Sequence, residues 1–355
     1  MNISKDTTYL VTGAAGFLGS HICDELLENG AKVRALVLPG DPSAKYIPKS
    51  VEIVEGNLCD RESLNEFFSV DPGQYSVLIH CASMVTVNPE FSRKLVDINV
   101  GGTKNLIDLC LAHSECLKMV YVSSTGAIPE LPKGQLIRET DSFNYKDERI
   151  VGWYSKSKAM ATQEVLDAAA FRGLNACVVH PSGILGPKDH AKGLVTGNII
   201  KIMNGELPIG MGGSFNLADV RDLAHGCVMA AEKGRSGECY ILGNKEITFK
   251  EMCKTLQRET GCRGPLFFVP IPLAYRLAKS MEKKAEKTGK QPVMTTFSVY
   301  NLDRNNAFDS SKAERELDYH TRPYSETLRD MADWIVEAGL VKGKTSVSYR
   351  PAAEY

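Results

Sequence analysis

The segment GWYSKSKAMATQEVL, residues 152–166, carries one tyrosine followed closely by two lysines. In an α-helix, side chains four residues apart lie on one face, whereas side chains two residues apart point in nearly opposite directions. Lys158 can therefore approach Tyr154, and Lys156 cannot. A phenol has a pKa of about 10 in water, and a neighbouring ammonium favours the phenolate. The pair is suited to act as acid and base on an alcohol or carbonyl, but the same spacing also occurs on ordinary surface helices.

A second candidate site is the loop VTGAAGFLGSH, which joins a predicted first strand to a predicted first helix. Gly13, Gly16 and Gly19 allow a tight turn and let the backbone approach a pyrophosphate, whose charge then meets the helix N-terminus. A glycine triplet alone is weak evidence. Its strand-to-helix context indicates a dinucleotide site.

Apolar, β-branched runs alternate with helical patterns through the first half of the chain. The runs are TYLVTG, AKVRALVL, SVEIVEGNL, YSVLIHCAS, LKMVYVSST and NACVVHPSG, and the helical patterns cover about 61–69, 90–112 and 152–172. This alternation predicts an α/β fold with a doubly wound parallel sheet, in which ligands bind at the carboxyl ends of the strands.

The alternation loosens after Pro181, which suggests a division of the chain. We predict a dinucleotide-binding domain over 1–182, to which 217–243 returns, a smaller mixed substrate lobe formed by 183–216 and 244–342, and a polar tail over 343–355. The apolar segment PLFFVPIPLAYRLA from Pro265 is too short to span a bilayer. It is expected to line a pocket or pack in the core, with shallow membrane contact as the alternative.

Composition excludes several classes of protein. Lys and Arg number 42 against 43 Asp and Glu, so the overall charge favours neither nucleic acid nor an anionic membrane as the main partner. The lysine-rich KSMEKKAEKTGK is expected to be a solvated helix face. Ten cysteines without a C-x-x-C pair predict a reduced, cytoplasmic protein, and the seven histidines predict no metal site. We expect no signal peptide and no integral membrane segment.

Taken together, the motifs resemble the extended short-chain dehydrogenase/reductase family, in its dihydroflavonol-reductase-like and 3β-hydroxysteroid-dehydrogenase-like branch. Besides the glycine loop and YSKSK, the likeness runs through HCA, DINVGGT, VYVSST, HPSGILGP, VRD and DSSKAERELDY, in family order. The resemblance implies a Rossmann fold. It also implies hydride transfer between NAD(P) and a secondary alcohol or ketone of fairly apolar character.

The resemblance implies a catalytic set. Tyr154 donates or removes the oxygen-bound proton, while Lys158 lowers its pKa and binds the nicotinamide ribose. The third residue of the hydroxyl run after the fifth strand, Thr125, hydrogen-bonds the substrate oxygen, with Ser124 as the alternative. Asn99 lies on a helix near the site and helps to order a water or a backbone kink.

The resemblance also implies dinucleotide contacts, in which HPSG closes over the nicotinamide. His80 either lines the dinucleotide or is a hydrogen-bonded core histidine. The implied cofactor-binding residues are Gly13, Ala15, Gly16, Phe17, Leu18, Gly19, Leu38, Asn57, Leu58, Cys81, Ala82, Ser83, Ser123, Tyr154, Lys158, Pro181, Ser182 and Gly183.

The choice between NAD and NADP depends on the end of the second strand, where an acidic residue binds ribose hydroxyls and an arginine accepts a phosphate. That position falls near Leu38, and Asp41 and Lys45 are close enough to serve either role. We expect NADP or NAD, with a slight preference for NADP because many reductases of this likeness use it.

Two other functions stay open. A nucleotide-sugar epimerase or dehydratase shares the fold and the catalytic residues, but usually adds an arginine for a second pyrophosphate, and GMGGSFNLADVRD has none before Arg221. A redox-inactive dinucleotide sensor would lose the catalytic pair. Members of the family include monomers and homodimers, the latter formed through helices corresponding to 90–112 and 152–172.

Overall fold

The computed structural model describes residues 6–289, 292 and 294–342 of the chain. Its strands are β1 (Thr7–Thr12), β2 (Lys32–Val37), β3 (Glu52–Glu55), β4 (Tyr75–His80), β5 (Cys116–Val122), β6 (Ala176–Pro181), β7 (Gly183–Leu185), β8 (Ile209–Met211), β9 (Ser214–Asp219), β10 (Cys239–Leu242), β11 (Glu246–Thr248) and β12 (Phe267–Val269). Its α-helices are α1 (Phe17–Glu28), α2 (Asn65–Phe68), α3 (Arg93–Val96), α4 (Gly102–Ala112), α5 (Trp153–Phe171), α6 (Leu194–Met203), α7 (Val220–Lys233), α8 (Phe249–Thr260), α9 (Ile271–Thr288), α10 (Thr296–Asp303), α11 (Ser311–Leu317) and α12 (Tyr324–Glu337).

The main sheet has seven parallel strands in the order β10, β6, β5, β4, β1, β2, β3. Alternate side chains along a strand point to opposite faces, and both faces of this sheet are covered by helices. On β1, Tyr9 and Val11 belong to the core that includes α1 and α7, whereas Leu10 belongs to the core that includes α4 and α5. Burial on both faces explains the uninterrupted apolar runs. It confirms the predicted doubly wound α/β fold.

The chain returns to the main sheet after leaving it, because β10 pairs in parallel with β6. Two small sheets lie outside the main one, β11–β9–β7 and β12–β8. A separate apolar core joins α6, α8 and α12, through side chains such as Ile199, Leu256 and Met331. These elements form the smaller mixed lobe, while the domain limits drawn from the sequence stay a prediction.

Several elements differ from the sequence expectation. α6 and α8 lie where no helix was predicted, although Thr248 and Glu251 form a capping box at the start of α8 that the segment TFKE could have signalled. The segment from Pro265 forms β12 and α9, and Leu266 and Phe267 are exposed, so the expectation of a pocket or core position is wrong for them.

Some sequence expectations concern the ends of the chain and membranes. The predicted tail over 343–355 lies outside the described residues. Within the described part of the chain, no helix is long and apolar enough to cross a bilayer.

The turn between β1 and α1 requires glycine at two positions. Gly13 has a φ of +71°, and a Cβ there would lie 2.7 Å from the Ala82 nitrogen. At Gly19, on the first turn of α1, a Cβ would overlap the Gly13 carbonyl group. The close packing of helix against turn therefore depends on missing side chains.

We predict that Gly19→Ala lowers the free energy of unfolding by about 1–3 kcal/mol, because the added methyl group forces the turn to shift. Gly197→Ala is the matched control within α6, since the nearest atom to its Cβ would be 3.8 Å away. The control should be neutral or up to about 1 kcal/mol stabilising. Urea unfolding measures both variants, and equal stabilities would contradict the packing argument.

Candidate functional site

A cavity of about 1350 Å³ lies at the carboxyl ends of the parallel strands. Its walls come from the segments that follow β1 to β6 and from α5, α10 and the smaller lobe. All the cofactor-binding positions expected from the resemblance border it, as do Ser124 and Thr125. Asn99 is the one expected catalytic residue that is not among the residues bordering the cavity.

One end of the cavity suits a dinucleotide pyrophosphate. α1 begins at Gly16 without a side-chain cap, so its first N–H groups have no side-chain acceptor there. Across the cavity, the buried Ser182 hydroxyl has no hydrogen-bond partner among the described residues. A glycine turn, an uncapped helix N-terminus and an unpaired hydroxyl are features that fit NAD(P). The described residues contain no group of three or more His, Cys, Asp or Glu arranged to bind a metal ion.

The segment after β2 is where the two dinucleotides would be distinguished. Leu38 is 54% exposed, and the Asp41 carboxylate accepts a hydrogen bond from the Ser43 N–H at 2.8 Å. Both border the cavity. Tyr46, next along the chain, stacks on His190 with ring centroids 3.8 Å apart. The smaller lobe therefore contacts the Rossmann domain at this end.

Basic groups cluster around the Tyr46–His190 stack. The Lys45 ammonium lies 4.9 Å from the centre of the Tyr46 ring. The pKa of His190 is lowered, mainly by burial and further by the nearby Lys188 and Lys45. Asp189 acts in the opposite direction and raises it. Lys188 is paired with Asp24 at 3.1 Å, so Lys45 is the ammonium of this group that no ion pair of the described residues neutralises.

Tyr154 and Lys158 both border the cavity from the first turns of α5. The Trp153 N–H donates to the Pro89 carbonyl at 3.0 Å, which fixes the start of this helix. Lys158 is buried, and its ammonium donates to the Val122 carbonyl at 2.7 Å. Lys156 instead places its ammonium 5.7 Å from the centre of the Trp153 indole, away from the cavity wall.

The pKa of Tyr154 differs from the sequence expectation. Burial raises it to about 12, against the effect of hydrogen bonds with Ser124 and Ser83. Burial also lowers the pKa of Lys158 to about 7. Lys158 is not among the groups that lower the phenol pKa here, so the lowering expected of it stays a prediction. The amine is bonded to the main chain of β5, and desolvation outweighs attraction between the two groups.

The hydroxyl beside Tyr154 belongs to Ser124. After β5 the chain enters a 3₁₀ turn over Thr125–Ala127, and Ser124 begins that turn by accepting a hydrogen bond from the Gly126 N–H at 3.1 Å. Its hydroxyl is also the one from this run that lies close enough to the Tyr154 phenol to lower the phenol's pKa. Thr125 borders the cavity without being one of the phenol's partners. The geometry therefore favours the alternative, Ser124, over Thr125.

His180 supports Ser124 from behind. Its Nδ1–H donates to the Ser124 carbonyl at 3.0 Å, and its ring stacks on Phe143 at a centroid distance of 5.2 Å. Burial lowers the pKa of His180 to about 4, so the ring is neutral at physiological pH. The sequence placed His180 in the HPSG segment expected to close over the nicotinamide; Pro181, Ser182 and Gly183 of that segment border the cavity, and His180 is not among the bordering residues.

His80 lies behind the cavity wall as a hydrogen-bonded core histidine, which is one of the two alternatives given for it from the sequence. The Thr103 hydroxyl donates to the Asn99 carbonyl at 2.7 Å, so it accepts from His80 Nε2–H at 3.0 Å. His80 Nδ1 then accepts from the Thr12 hydroxyl at 2.7 Å, and that oxygen accepts from the Ala82 N–H at 3.1 Å. Every donor in this chain has one acceptor. The neutral Nε2–H tautomer is therefore required.

Asn99 extends the same network toward Tyr154. It lies in a π-helical turn, Asp97–Gly101, that separates α3 from α4, where one continuous helix was predicted. Its amide group bonds both the N–H and the carbonyl of Met84 and donates to the Ser157 hydroxyl at 3.0 Å. Ser157 donates to the Tyr154 carbonyl at 2.7 Å. Asn99 thus ties the loop after β4 to α5, and it is a positioning residue.

Sequence reasoning missed Arg304, which borders the cavity from just beyond α10. Its Nε lies 3.8 Å from a Glu130 carboxylate oxygen and has no hydrogen-bond partner among the described residues. Arg221, the first arginine of the segment in which a diphosphate-binding arginine was sought, is held by Asp219 and Asp330. No local motif marks Arg304, because the chain brings it to the cavity only through the packing of α10.

Comparison with known proteins identifies the class. Residues 9–243 match the model of the NAD dependent epimerase/dehydratase family, and this is well over half of the chain. The protein therefore belongs to that family. The family, an enzyme family of the extended short-chain dehydrogenase/reductase type, is the one that the motifs resemble.

Individual relatives cover nearly the whole chain. A Synechocystis sp. protein named "Putative dihydroflavonol 4-reductase" is 31% identical over 345 residues, which is 96% of this chain and 98% of that protein. The 3-beta-hydroxysteroid dehydrogenase of Mycolicibacterium neoaurum is 26% identical over 343 residues, 91% of this chain and 89% of that protein. The crystal structure of gox2253 superimposes with a TM-score of 0.81 at 29% identity, covering 95% and 100% of the two chains.

The network predicts a stability loss in mild acid. Burial lowers the pKa of His80 to about 3 and that of His180 to about 4, whereas an unfolded histidine titrates near 6.5. As pH falls below 6.5 the unfolded chain binds protons that the folded chain does not. Stability therefore drops, by roughly 2 kcal/mol per histidine at pH 5.

Urea unfolding at pH 7 and pH 5 measures this loss. His80→Asn should be less stable at pH 7 and should lose about half as much on acidification as the parent protein. An identical loss in the parent and the variant would show that His80 does not carry the effect.

Proposed function

We propose that the protein is an NAD(P)-dependent alcohol dehydrogenase or ketone reductase acting on a fairly apolar secondary alcohol or ketone. The observation that carries this proposal is the meeting of Tyr154, Ser124 and Lys158 in a cavity that also contains the glycine turn. Bound nicotinamide would supply the hydride to a carbonyl carbon, or accept it from a carbinol carbon. The glycine turn would hold the dinucleotide at the other end, and Ser182, in the segment expected to close over the nicotinamide, would contact it from the opposite wall.

The protein's own residues handle the oxygen and the proton. Ser124 would donate a hydrogen bond to the carbonyl oxygen and orient it. Because the pKa of Tyr154 is about 12, its phenol carries a proton at neutral pH and is set to donate it as the alkoxide forms. Lys158 lies one helical turn further on and would bind the nicotinamide ribose and stabilise the resulting phenolate.

The apolar character of the substrate is supported by the walls beyond Tyr154. The cavity is bordered there by aliphatic and aromatic side chains from four segments, including Val85, Val87, Phe215, Phe297 and Phe308. The names of two relatives, "Putative dihydroflavonol 4-reductase" and 3-beta-hydroxysteroid dehydrogenase, point to ring-containing, largely apolar substrates. The segment from Pro265 was expected to favour such a substrate by lining the pocket, but none of its residues is among those that border the cavity.

A nucleotide-sugar epimerase or dehydratase is the second candidate, and Arg304 is the observation that favours it. A guanidinium at the cavity wall can bind a diphosphate. The absence of an arginine before Arg221 in GMGGSFNLADVRD therefore no longer counts against a nucleotide-sugar substrate. The nearby Glu130 carboxylate weighs in the other direction, because it already offers this guanidinium a negative charge. A redox-inactive sensor is the third reading, and the presence of both Tyr154 and Lys158 disfavours it.

The cofactor preference and the setting are also proposals. The Lys45 ammonium, close along the chain to the cavity-bordering Ser43, supports the lean toward NADP, whereas Asp41, which borders the cavity, supports NAD. A cytoplasmic location rests on the cysteine pattern, and no cysteine of the described chain is in a disulfide. Assembly as a homodimer through α4 and α5 stays a prediction, beside the monomer.

We expect Tyr154→Phe to lower turnover by about 10²–10⁴-fold, because the proton donor is lost, while the dissociation constant for NADPH stays unchanged. Ser124→Ala should also lower turnover strongly. Thr125→Val and Lys156→Ala are the matched controls, and both should stay within a few-fold of the parent. A panel of ketones with NADPH and NADH measures these rates, and full activity of Tyr154→Phe would end the assignment.

Lys45→Ala should weaken NADPH binding by roughly tenfold and leave NADH binding unchanged, because a charge-assisted contact to the 2′-phosphate is removed. Lys49→Ala, an exposed lysine of the same segment, is the control. Nucleotide fluorescence titrations give both dissociation constants. A loss of NADH affinity in Asp41→Asn, with no effect of Lys45→Ala on NADPH, would assign the enzyme to NAD.

A further inference from the structure

Large apolar side chains are exposed together on the smaller lobe, on a surface that we call the α9 surface. Leu266 is 77% exposed, Phe267 is 71% exposed, and Ile209, the register partner of Phe267 across β8 and β12, is 55% exposed. The exposed apolar members are Ile209, Leu266, Phe267, Leu273, Leu277 and Met281. Ile209 and Phe267 are paired strand residues, Leu266 precedes Phe267, and the other three lie on the helix that follows β12 in the chain. Grouping of this kind marks a contact site, since exposed apolar residues are ordinarily scattered.

Helix α9 presents these side chains as a stripe. Leu273, Leu277 and Met281 follow one another at four-residue spacing and are exposed, while Ala274 and Ala278 on another face are buried. That buried face packs against Val299 of α10. The stripe therefore lies on a different side of α9 from the face that packs within the fold, and it remains exposed.

Cationic side chains flank the stripe on the same helix. Between Arg263 and Gly289 the sequence has six Lys and Arg against two Glu, although the whole chain is balanced. The exposed cations of α9 are Arg276, Lys279, Lys283, Lys284 and Lys287. Within the described residues, none of these five cations forms an ion pair with a carboxylate. The balanced overall charge thus conceals a local basic face.

The combination favours a lipid surface over a protein partner. Protein interfaces are depleted in lysine, whereas helices that lie in the bilayer interface combine an apolar stripe with Lys and Arg beside it. A second copy of the chain would bring the same basic helix against itself, since the common two-fold interface pairs identical surfaces. Anionic headgroups, in contrast, complement the cations while the stripe enters the acyl boundary.

We infer that the α9 surface docks the protein on an anionic lipid bilayer, with the apolar stripe in the headgroup region and without a membrane-spanning segment. α9 packs on α10, and α10 supplies Phe297 and Asn301 to the cavity wall. Docking would therefore bring the substrate side of the cavity close to a surface in which apolar molecules dissolve. The docking itself does not depend on the reaction proposed above.

Co-sedimentation of the full chain with vesicles tests the inference. The parent protein should bind vesicles of phosphatidylcholine mixed with phosphatidylglycerol, and should bind much less to phosphatidylcholine alone. Phe267→Glu with Leu277→Glu should lower the partition coefficient at least tenfold. Lys283→Gln and Lys287→Gln should each lower it roughly fivefold on the anionic vesicles only, because each removes one surface charge.

Phe171→Glu is the matched control, because Phe171 is 83% exposed on α5 and far along the chain from the α9 surface. Its binding should equal that of the parent. Thermal unfolding and NADPH affinity, measured on every variant, show that the fold is kept. No binding of the parent to anionic vesicles overturns the inference, as does an equal loss in Phe171→Glu. A dimer that Phe267→Glu dissociates in sedimentation velocity would instead assign the surface to a second copy.

Discussion

A buried hydrogen-bond network holds the site together, and its fixed direction is the constraint on which the rest depends. It starts at the Ala82 N–H, passes through Thr12, His80 and Thr103, and reaches Asn99. Each step has one donor and one acceptor, so a single proton on the wrong nitrogen of His80 would break it. The network joins β1, β4 and α4, and through Asn99 it also fixes the loop after β4 and the start of α5.

This arrangement separates positioning from chemistry. The residues that border the cavity are free to contact ligands, while Thr12, His80 and Thr103 behind them are hydrogen-bonded to one another and to the main chain. Ser157 fixes Tyr154 through its main chain, and the hydroxyls of Ser124 and Ser83 lie beside its phenol and lower the phenol's pKa. A site built in this way can change the walls that come from the smaller lobe without disturbing Tyr154, Ser124 and Lys158.

Local patterns account for what the sequence could predict. The alternation of strands and helices, the glycine turn and the four-residue spacing of Tyr154 and Lys158 are all properties of neighbouring residues. The choice of Ser124 over Thr125 was beyond such reasoning, because it depends on where a 3₁₀ turn begins after β5. Arg304 reaches the cavity through long-range packing. The pKa of Tyr154 depends on burial, which no pattern of spacing reports.

The most direct test of the account is the fate of a deuterium label. Purified protein would be incubated with NADPH or NADH deuterated at C4 and with a panel of apolar ketones, with a nucleotide sugar in parallel. If the protein transfers a hydride from the dinucleotide to a ketone, we expect one deuterium on the carbinol carbon of the alcohol product and one dinucleotide oxidised per turnover. Two results together would contradict this reaction: conversion of the nucleotide sugar without net oxidation of the dinucleotide, and no deuterated alcohol from any of the ketones.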